Sequence, residues 1–370
     1  MKDVSKLIAN LSPEKRAELL QRLKSNSGKA EIGKTKNKDK TAYVPKDGDN
    51  YYCHVEKPGN FSSIVLKQIE MVPPPKPNQI QIKAKAASLN FRDILIGLNM
   101  YYDPPGVTTT MGTDYSGIVT EVGANIKNFK KGDHVLFFST ENFKAYQNAE
   151  DFNVIKKPDN ISWEEAAAIP TAYMTSYYSL RYVANLKPGK RVLIHTATGG
   201  VGLSAIEIAK WLGAEIFVTA GTDKKIEYLK SMGFKAPMNS RTLDFADEIM
   251  DRTNGEGIDV VLNTIAGEAT VKGLEILRQY GHFLQIDLKD IAANKSIPLA
   301  AFTRNLSFTA LNMGWHPERS TEYMNEVSEL HAKGIFKPLV VNNFKIDELG
   351  RALAFLSKSE HIGKVVLQYL

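Results

Sequence analysis

Residues Arg191 to Ala209, RVLIHTATGGVGLSAIEIA, run from a string of apolar side chains into a turn holding three glycines and then into an amphipathic pattern. The spacing predicts strand, tight turn, helix. Gly200, Gly202 and Ala205 fit G-x-G-x-x-[GA]: the first glycine makes the turn, the second lets the backbone approach a pyrophosphate, and the small third residue lets the helix pack close on the strand. The helix N-terminus offers free N–H groups and the positive end of a dipole to phosphates. Thr198, Gly199, Gly200, Val201 and Gly202 are therefore candidate residues for binding a dinucleotide. The alternative is a glycine-rich turn of an ordinary α/β protein; the strand before it and the helix after it favour the dinucleotide site.

The next strand addresses which dinucleotide. An NAD site usually ends its second strand in an acid that accepts hydrogen bonds from the ribose. Here AEIFVTAGTDKK ends in Val218, Thr219, Ala220 and Gly221, with no acid at the tip. Lys224 and Lys225 follow as cationic partners for a 2′-phosphate, Thr222 as a neutral donor, and Arg241 of NSRTLDF could reach the same group. The expected cofactor is NADPH rather than NADH. Against this stand Asp223, an acid only slightly displaced, the reading of both lysines as the solvated start of a helix, and that of Arg241 as a surface residue.

Composition agrees with two domains and an appendage. The chain has 370 residues, 43% hydrophobic and 24% charged, ordinary for a soluble globular protein and too long for a single usual core. No apolar run is long enough to span a bilayer, and MKDVSKLIANLSPEKR lacks a signal peptide's apolar core, so the expected location is cytoplasmic with no membrane partner. The one cysteine, Cys53, excludes an internal disulfide and a Cys-rich zinc lobe. Much of the net charge of +6 comes from residues 24–40, KSNSGKAEIGKTKNKDK. That stretch is too poor in large apolar side chains to offset its ordering entropy and reads as a flexible linker. The remainder is near neutral and lacks aromatic-basic interleaving, so no nucleic-acid partner is expected. Before the linker, LSPEKRAELLQRLK reads as a helix with Ser12 as N-cap, Pro13 at the first helical position and a stripe of Leu19, Leu20 and Leu23. It packs on the body or on another chain; a frayed tail is the alternative.

From Tyr51 the chain is β-rich, with SSIVLKQIEMV, NQIQIKAKAASLN and GTDYSGIVTEVGANIKNFKKGDHVLFF broken by turns at Gly123 and Gly132-Asp133. The C-terminal KPLVVNNFKIDELGRALAFLSKSEHIGKVVLQYL reads as strand, helix and strand returning into the first domain. The fold class is α/β, a doubly wound parallel sheet plus a β-rich substrate domain. The expected domains are residues 1–45 (helix and linker), 46–172 with 312–370 (substrate domain) and 173–311 (dinucleotide-binding domain).

Eight stretches, ASLNFRDILIGLNMY, GTDYSGIVTEVG, GDHVLFF, AAAIPTAYMTSYYSL, the glycine fingerprint, SRTLDF, DVVLNTIAGE and HIGKVVL, together resemble the medium-chain dehydrogenase/reductase superfamily. Within it they are similar to the zinc-independent, quinone-oxidoreductase-like enoylreductase domains of modular polyketide synthases and animal fatty acid synthase. The N-terminal helix resembles segments that introduce domains in such assembly lines. The resemblance implies a Rossmann sheet with a GroES-like substrate domain, and NADPH-dependent addition of hydride to the β-carbon of an α,β-unsaturated thioester. It implies as partners an acyl carrier protein bearing the enoyl chain on phosphopantetheine and neighbouring polyketide synthase domains, and leaves monomer and homodimer open. Zinc-dependent members carry a cysteine ligand where this chain has Asn90-Phe91-Arg92-Asp93, so no metal is expected.

The resemblance also assigns residues. Tyr101, with Tyr102 beside it, stands where related enzymes place a proton donor; a pocket-wall aromatic is the alternative. The family's lysine falls at Leu288, with Lys289 one residue late, and its aspartate at Asn312, which cannot ionise. Asn263, Ala266 and Gly267 belong beside the nicotinamide, unless Asn263 caps the helix near Glu268, and Gly363 and Lys364 near the pyrophosphate. The substrate pocket would include Asn90, Arg92 and Thr171, with Arg92 equally readable as an ion-pair partner of Asp93 or Asp114. A site stripped of proton donors would suit a second chemistry, in which the enolate displaces a γ-halide and closes a cyclopropane. A stand-alone quinone oxidoreductase and a crystallin-like binding role are further alternatives.

Overall fold

Alternation in QIQIKAKAAS buries Ile80, Ile82 and Ala84 while Lys83 and Lys85 stay partly exposed, the two-residue period of a strand resting on a core. This is the central strand of the front half. The computed structural model describes residues 43–101, 109–287, 289–311 and 317–370, and Tyr43–Leu370 form one compact unit. The N-terminal helix and lysine-rich stretch, with Tyr102, Leu288 and Asn312, lie outside the described residues.

In chain order, β1 (Asn50–Val55) and β2 (Ile64–Ile69) make an antiparallel ribbon. They are followed by β3 (Gln79–Ser88), α1 (Phe91–Gly97), β4 (Asp114–Val122), β5 (His134–Phe138), β6 (Tyr146–Glu150) and β7 (Val154–Lys156). Helix α2 (Trp163–Ala167) starts at a reciprocal cap: the Ser162 hydroxyl accepts from the Glu165 N–H at 3.1 Å, and the Glu165 carboxylate accepts from the Ser162 N–H at 2.8 Å. Helix α3 (Pro170–Tyr177) carries its proline at the first turn, where a missing N–H costs nothing.

Strands and helices then alternate. These are β8 (Arg191–Ile194), α4 (Gly200–Trp211), β9 (Glu215–Ala220), α5 (Asp223–Ser231), β10 (Met238–Asn239), α6 (Phe245–Arg252), β11 (Ile258–Asn263), α7 (Glu268–Glu275), β12 (Leu277–Gln285), α8 (Lys289–Ala292) and β13 (Ser307–Ala310). The chain closes with α9 (Pro317–Ala332), β14 (Val341–Lys345), α10 (Leu349–Ser357) and β15 (Lys364–Gln368).

The alternating region forms a six-stranded, all-parallel sheet in the order β10-β9-β8-β11-β12-β13. This is the doubly wound order, and the winding reverses between β8 and β11. β11 is buried along its whole length because helices cover both faces. The other sheet runs β14-β15-β3-β4-β5-β7, with β6 also paired to β3, and is antiparallel except for β14 and β15. The predicted return of the C-terminus is thus a strand, β15, laid against β3. One buried cluster joins Leu136 and Ile155 of the antiparallel sheet to Tyr173 on α3, Ile194 on β8, Ile206 on α4 and Tyr323 on α9. The two sheets therefore meet through shared core, with the end of β8 at the junction.

Candidate active site

The dinucleotide cradle is built by backbone. Gly199 caps α4 with no side-chain hydrogen bond, so the first-turn N–H groups have no intramolecular cap. A side chain at Gly202 would meet the Ala197 Cα at 2.5 Å, and one at Gly200 the Lys364 Cδ at 2.5 Å. Helix and strand therefore approach as closely as the fingerprint requires. The Thr198 carbonyl accepts the Gly363 N–H at 2.8 Å, and Gly199 bridges Gly363 in parallel, which seats the start of β15 on the glycine turn. Val201 faces inward with its carbonyl, which accepts from the Ser176 and Ser204 hydroxyls.

At the tip of β9, a Cβ on Gly221 would lie 3.2 Å from the Arg241 Nε. Thr222 caps α5, its hydroxyl oxygen accepting from the Lys225 N–H at 3.4 Å, which leaves its own O–H to donate. Lys224 is exposed, whereas the Lys225 ammonium donates to the Ser359 carbonyl at 2.8 Å. Burial, with the Arg241 charge second, pushes the Lys225 pKa down. Three cations, opposed by the Glu360 carboxylate, thus stand together at this corner, and β9 itself ends without a carboxylate. An open first turn fits the pyrophosphate of a dinucleotide, which Thr198 to Gly202 could hold, and Thr222, Lys224, Lys225 and Arg241 line the corner beyond it.

On the far side of β8, Asn263 is fully buried and spends its amide internally, donating to the Ile265 carbonyl and to Gln285 Oε1, both at 2.7 Å. It does not cap the following helix; Gly267 holds that place, with φ +85 and open space where a Cβ would stand. The Gly267 N–H donates to Asp290 at 2.6 Å. Ala266 is half-buried in the same turn.

Between the two sheets lies a buried polar junction. Asn90 Oδ1 accepts from the Lys364 ammonium at 2.6 Å, and its amide N–H groups go to Thr113 Oγ1 and Asp114 Oδ2, both at 2.9 Å. Thr171 donates to Asp114 through both its N–H and its hydroxyl. Lys364, expected near the pyrophosphate, lays its stem on Gly200 but turns its ammonium into this junction. Asn90 and Thr171, expected in the substrate pocket, are committed to Asp114. Sequence reasoning passed over Asp114 itself, except as a possible Arg92 partner. Its signal is an acid opening the apolar strand DYSGIV, matched by a lysine opening KVVL.

Helix α1 leads from this junction toward the residues assigned to chemistry. The two Asp93 oxygens accept from the Asn90 and Gly112 N–H groups at 2.7 and 2.8 Å. Arg92 instead donates to the Thr110 carbonyl at 3.3 Å, and its guanidinium lies 5.7 Å from the Tyr101 ring. The ion pair considered for Arg92 does not form among the described residues, because backbone N–H groups already occupy Asp93. Tyr101 is 37% exposed. The Lys289 ammonium lies 5.5 Å from the ring of Phe91 and 3.8 Å from Asp287, so the first residues of α1 and α8 face each other. Cys53 is buried in the front core, and burial pushes its thiol far up. Among the described residues no group of three or more His, Cys, Asp or Glu is placed to hold a metal, and no helix is long and apolar enough to cross a membrane.

This fold and cradle define a dinucleotide-dependent oxidoreductase. Residues 76–154 match the family model of the alcohol dehydrogenase GroES-like domain, and residues 200–329 that of zinc-binding dehydrogenases. The chain is 37% identical over 318 residues to phthioceranic/hydroxyphthioceranic acid synthase of Mycobacterium bovis (strain BCG / Pasteur 1173P2), which covers 85% of this chain and 15% of that one. It therefore spans about a seventh of the length of such a relative. Among solved structures, CurK enoyl reductase matches with a TM-score of 0.80 at 31% identity, over 87% of this chain and 99% of that one. The CurF ER cyclopropanase from the curacin A biosynthetic pathway matches with a TM-score of 0.80 at 28% identity, with the same coverage. The chain belongs to the medium-chain dehydrogenase/reductase superfamily, as an enoylreductase domain of the polyketide synthase type.

Proposed function

We propose that this chain is an NADPH-dependent enoyl reductase that adds hydride to the β-carbon of an α,β-unsaturated thioester carried by an acyl carrier protein, beside other domains of a polyketide synthase. The observation that carries the reading is the position of Tyr101. Partly exposed in the segment after α1, its ring lies 5.7 Å from the guanidinium of Arg92, on the helix that begins at the junction under the glycine turn. The nicotinamide, when bound, supplies the hydride. Hydride addition moves charge onto the thioester oxygen, and the chain's task is to stabilise that charge and return a proton to the α-carbon. The Tyr101 hydroxyl is the proposed donor, with Arg92 beside it as fixed positive charge. Lys289 stands across from Phe91 as a second cation, and Asn312 is proposed as a neutral hydrogen-bonding residue of the same pocket.

The similarity to a cyclopropanase supports a second reading for a substrate with a γ-halide. There the enolate α-carbon forms a bond to the γ-carbon as the carbon–halogen bond breaks and halide leaves, so no proton donor is needed. Incubating the protein and NADPH with crotonyl and γ-chlorocrotonyl carrier thioesters, with mass spectrometry of the products, tests both. Saturated butyryl product supports reduction, a cyclopropane supports the second reading, and turnover of quinones with neither thioester consumed defeats both.

A further inference from the structure

Asp114 is fully buried and Lys364 nearly so, their side chains 0% and 6% exposed, with 3.3 Å between the ammonium and the carboxylate. Taking two charges out of water costs several kcal/mol per ion unless pairing and hydrogen bonds compensate. Compensation here is complete on the acid: besides Lys364 it receives both donors of Thr171, the Asn90 amide at 2.9 Å and the Ser88 hydroxyl at 3.3 Å. The ammonium is less fully used. It has three donors, and its contacts are with Asn90 and Asp114.

The backbone around Lys364 restricts where that ammonium can go. The Gly363 N–H is held by the Thr198 carbonyl and the Lys364 N–H by the Val340 carbonyl, while the stem lies against Gly200. A strand that starts on the glycine turn thus delivers a cation behind that turn, and among the described residues the only carboxylate bonded to it is Asp114. Without its counter-charge a buried ammonium is costly to keep in place, and the stem that it anchors against Gly200 loses its hold on the turn.

We propose that Asp114 is a positioning residue for the dinucleotide: by holding the Lys364 ammonium, with Thr171, in the junction behind the glycine turn, it keeps the lysine stem packed against Gly200, so that the turn is shaped before the ligand arrives. This rests on reading the turn as the NADPH site. The test needs no turnover. NADPH affinity is measured by fluorescence or calorimetry for the unaltered protein, Asp114→Asn, Lys364→Met and the double variant. Each single change should weaken binding at least ~10-fold, and the double variant should bind no worse than the weaker single, the signature of two residues acting through one interaction. Lys364→Arg, which keeps the charge, should recover most of the loss. If Asp114→Asn does not fold, Thr171→Val replaces it in the same cycle, with the same non-additivity expected.

Losses that multiply in the double variant overturn the proposal. So does an Asp114→Asn protein that melts lower but binds NADPH normally. If the unaltered protein binds NADPH and the variants do too, only the role of Asp114 fails. If the unaltered protein binds no dinucleotide, the cofactor reading fails with it.

Discussion

The glycine turn after β8 and the polar junction opening β4 lie against each other, yet they are specified in opposite ways. The turn is made by a few residues adjacent in sequence, and its demands are steric: at Gly202 any side chain would run into Ala197. The junction is made by residues as far apart as Asn90 and Lys364, 274 positions from each other, and its demands are electrostatic. A local steric requirement leaves a motif, whereas a distant pairing leaves only isolated polar residues in apolar strands. The dinucleotide half of the site is therefore the legible half.

The largest expected effect comes where the two regions are stitched together. Gly363 has φ +78, and a Cβ there would overlap the Val340 carbonyl oxygen. Gly363→Val should destabilise the protein by about 3 kcal/mol or more, read as a lower urea midpoint, since strained backbone and overpacking add. Gly267→Ala is the control, with similar φ but open space, and should cost about 1 to 2 kcal/mol. Equal costs would show that conformation alone, without the close approach of strand to turn, sets the requirement at Gly363.

A second expected effect separates the junction, whose buried acid has partners, from histidines buried without charged ones. Burial pushes His195 down to about 3, and His331, packed on the rings of Tyr173 and Phe336, to about 4. Both fall below the ordinary value of 6.5, so between that pH and about 4 the unfolded chain binds more protons than the folded one. Stability must then fall as the pH drops through this window. The urea midpoint should decline steadily from pH 6.5 to 4, and His331→Phe should flatten the decline. A midpoint that does not change over this range would mean that the histidines are not held neutral by the fold.

How far the sequence could be read follows the same division. The doubly wound sheet, the antiparallel front, the return of the last strand and the acid-free tip of β9 all follow from periodicity and turn residues. The roles of Asn90, Thr171 and Lys364 do not, because each side chain meets Asp114 only after both sheets have formed. The fate of Arg92 was equally hidden. Whether it pairs with Asp93 depends on whether backbone N–H groups reach the carboxylate first, and those of Asn90 and Gly112 do. The internal amide bonds of Asn263 depend on Gln285, which arrives from the neighbouring strand.

Smaller in free energy, but closer to the chemistry, is the effect expected at Tyr101. Tyr101→Phe keeps the ring near Arg92 and removes the hydroxyl, so the melting temperature should hold. Reduction of a plain enoyl thioester should slow by about 10² if the hydroxyl delivers the proton, or the configuration at the α-carbon should change. Cyclopropane formation from a γ-halo substrate should continue, because displacement consumes the enolate. Unchanged rate and stereochemistry on the plain substrate, with no cyclised product from the other, would make Tyr101 a wall of the pocket.

The smallest effect concerns the outer edge of the legible half, where charge rather than backbone selects the ligand. Gly221 leaves space that Arg241 approaches from one side, while Lys224 and Lys225 lie on the helix that follows. Burial depresses the Lys225 pKa most, and the Arg241 and Lys224 charges add to it against the opposing Glu360 carboxylate, so a phosphate in the corner would meet cations that a bare ribose would not engage. NADPH should bind at least ~10-fold more tightly than NADH, about 1.4 kcal/mol. Arg241→Glu and Lys225→Glu should each narrow that gap by weakening NADPH while leaving NADH affinity nearly unchanged, since the turn proposed to hold the shared pyrophosphate is untouched. Equal affinity for the two cofactors in the unaltered protein would overturn the assignment. Parallel losses for both cofactors in the variants would show instead that the corner steers anions in general.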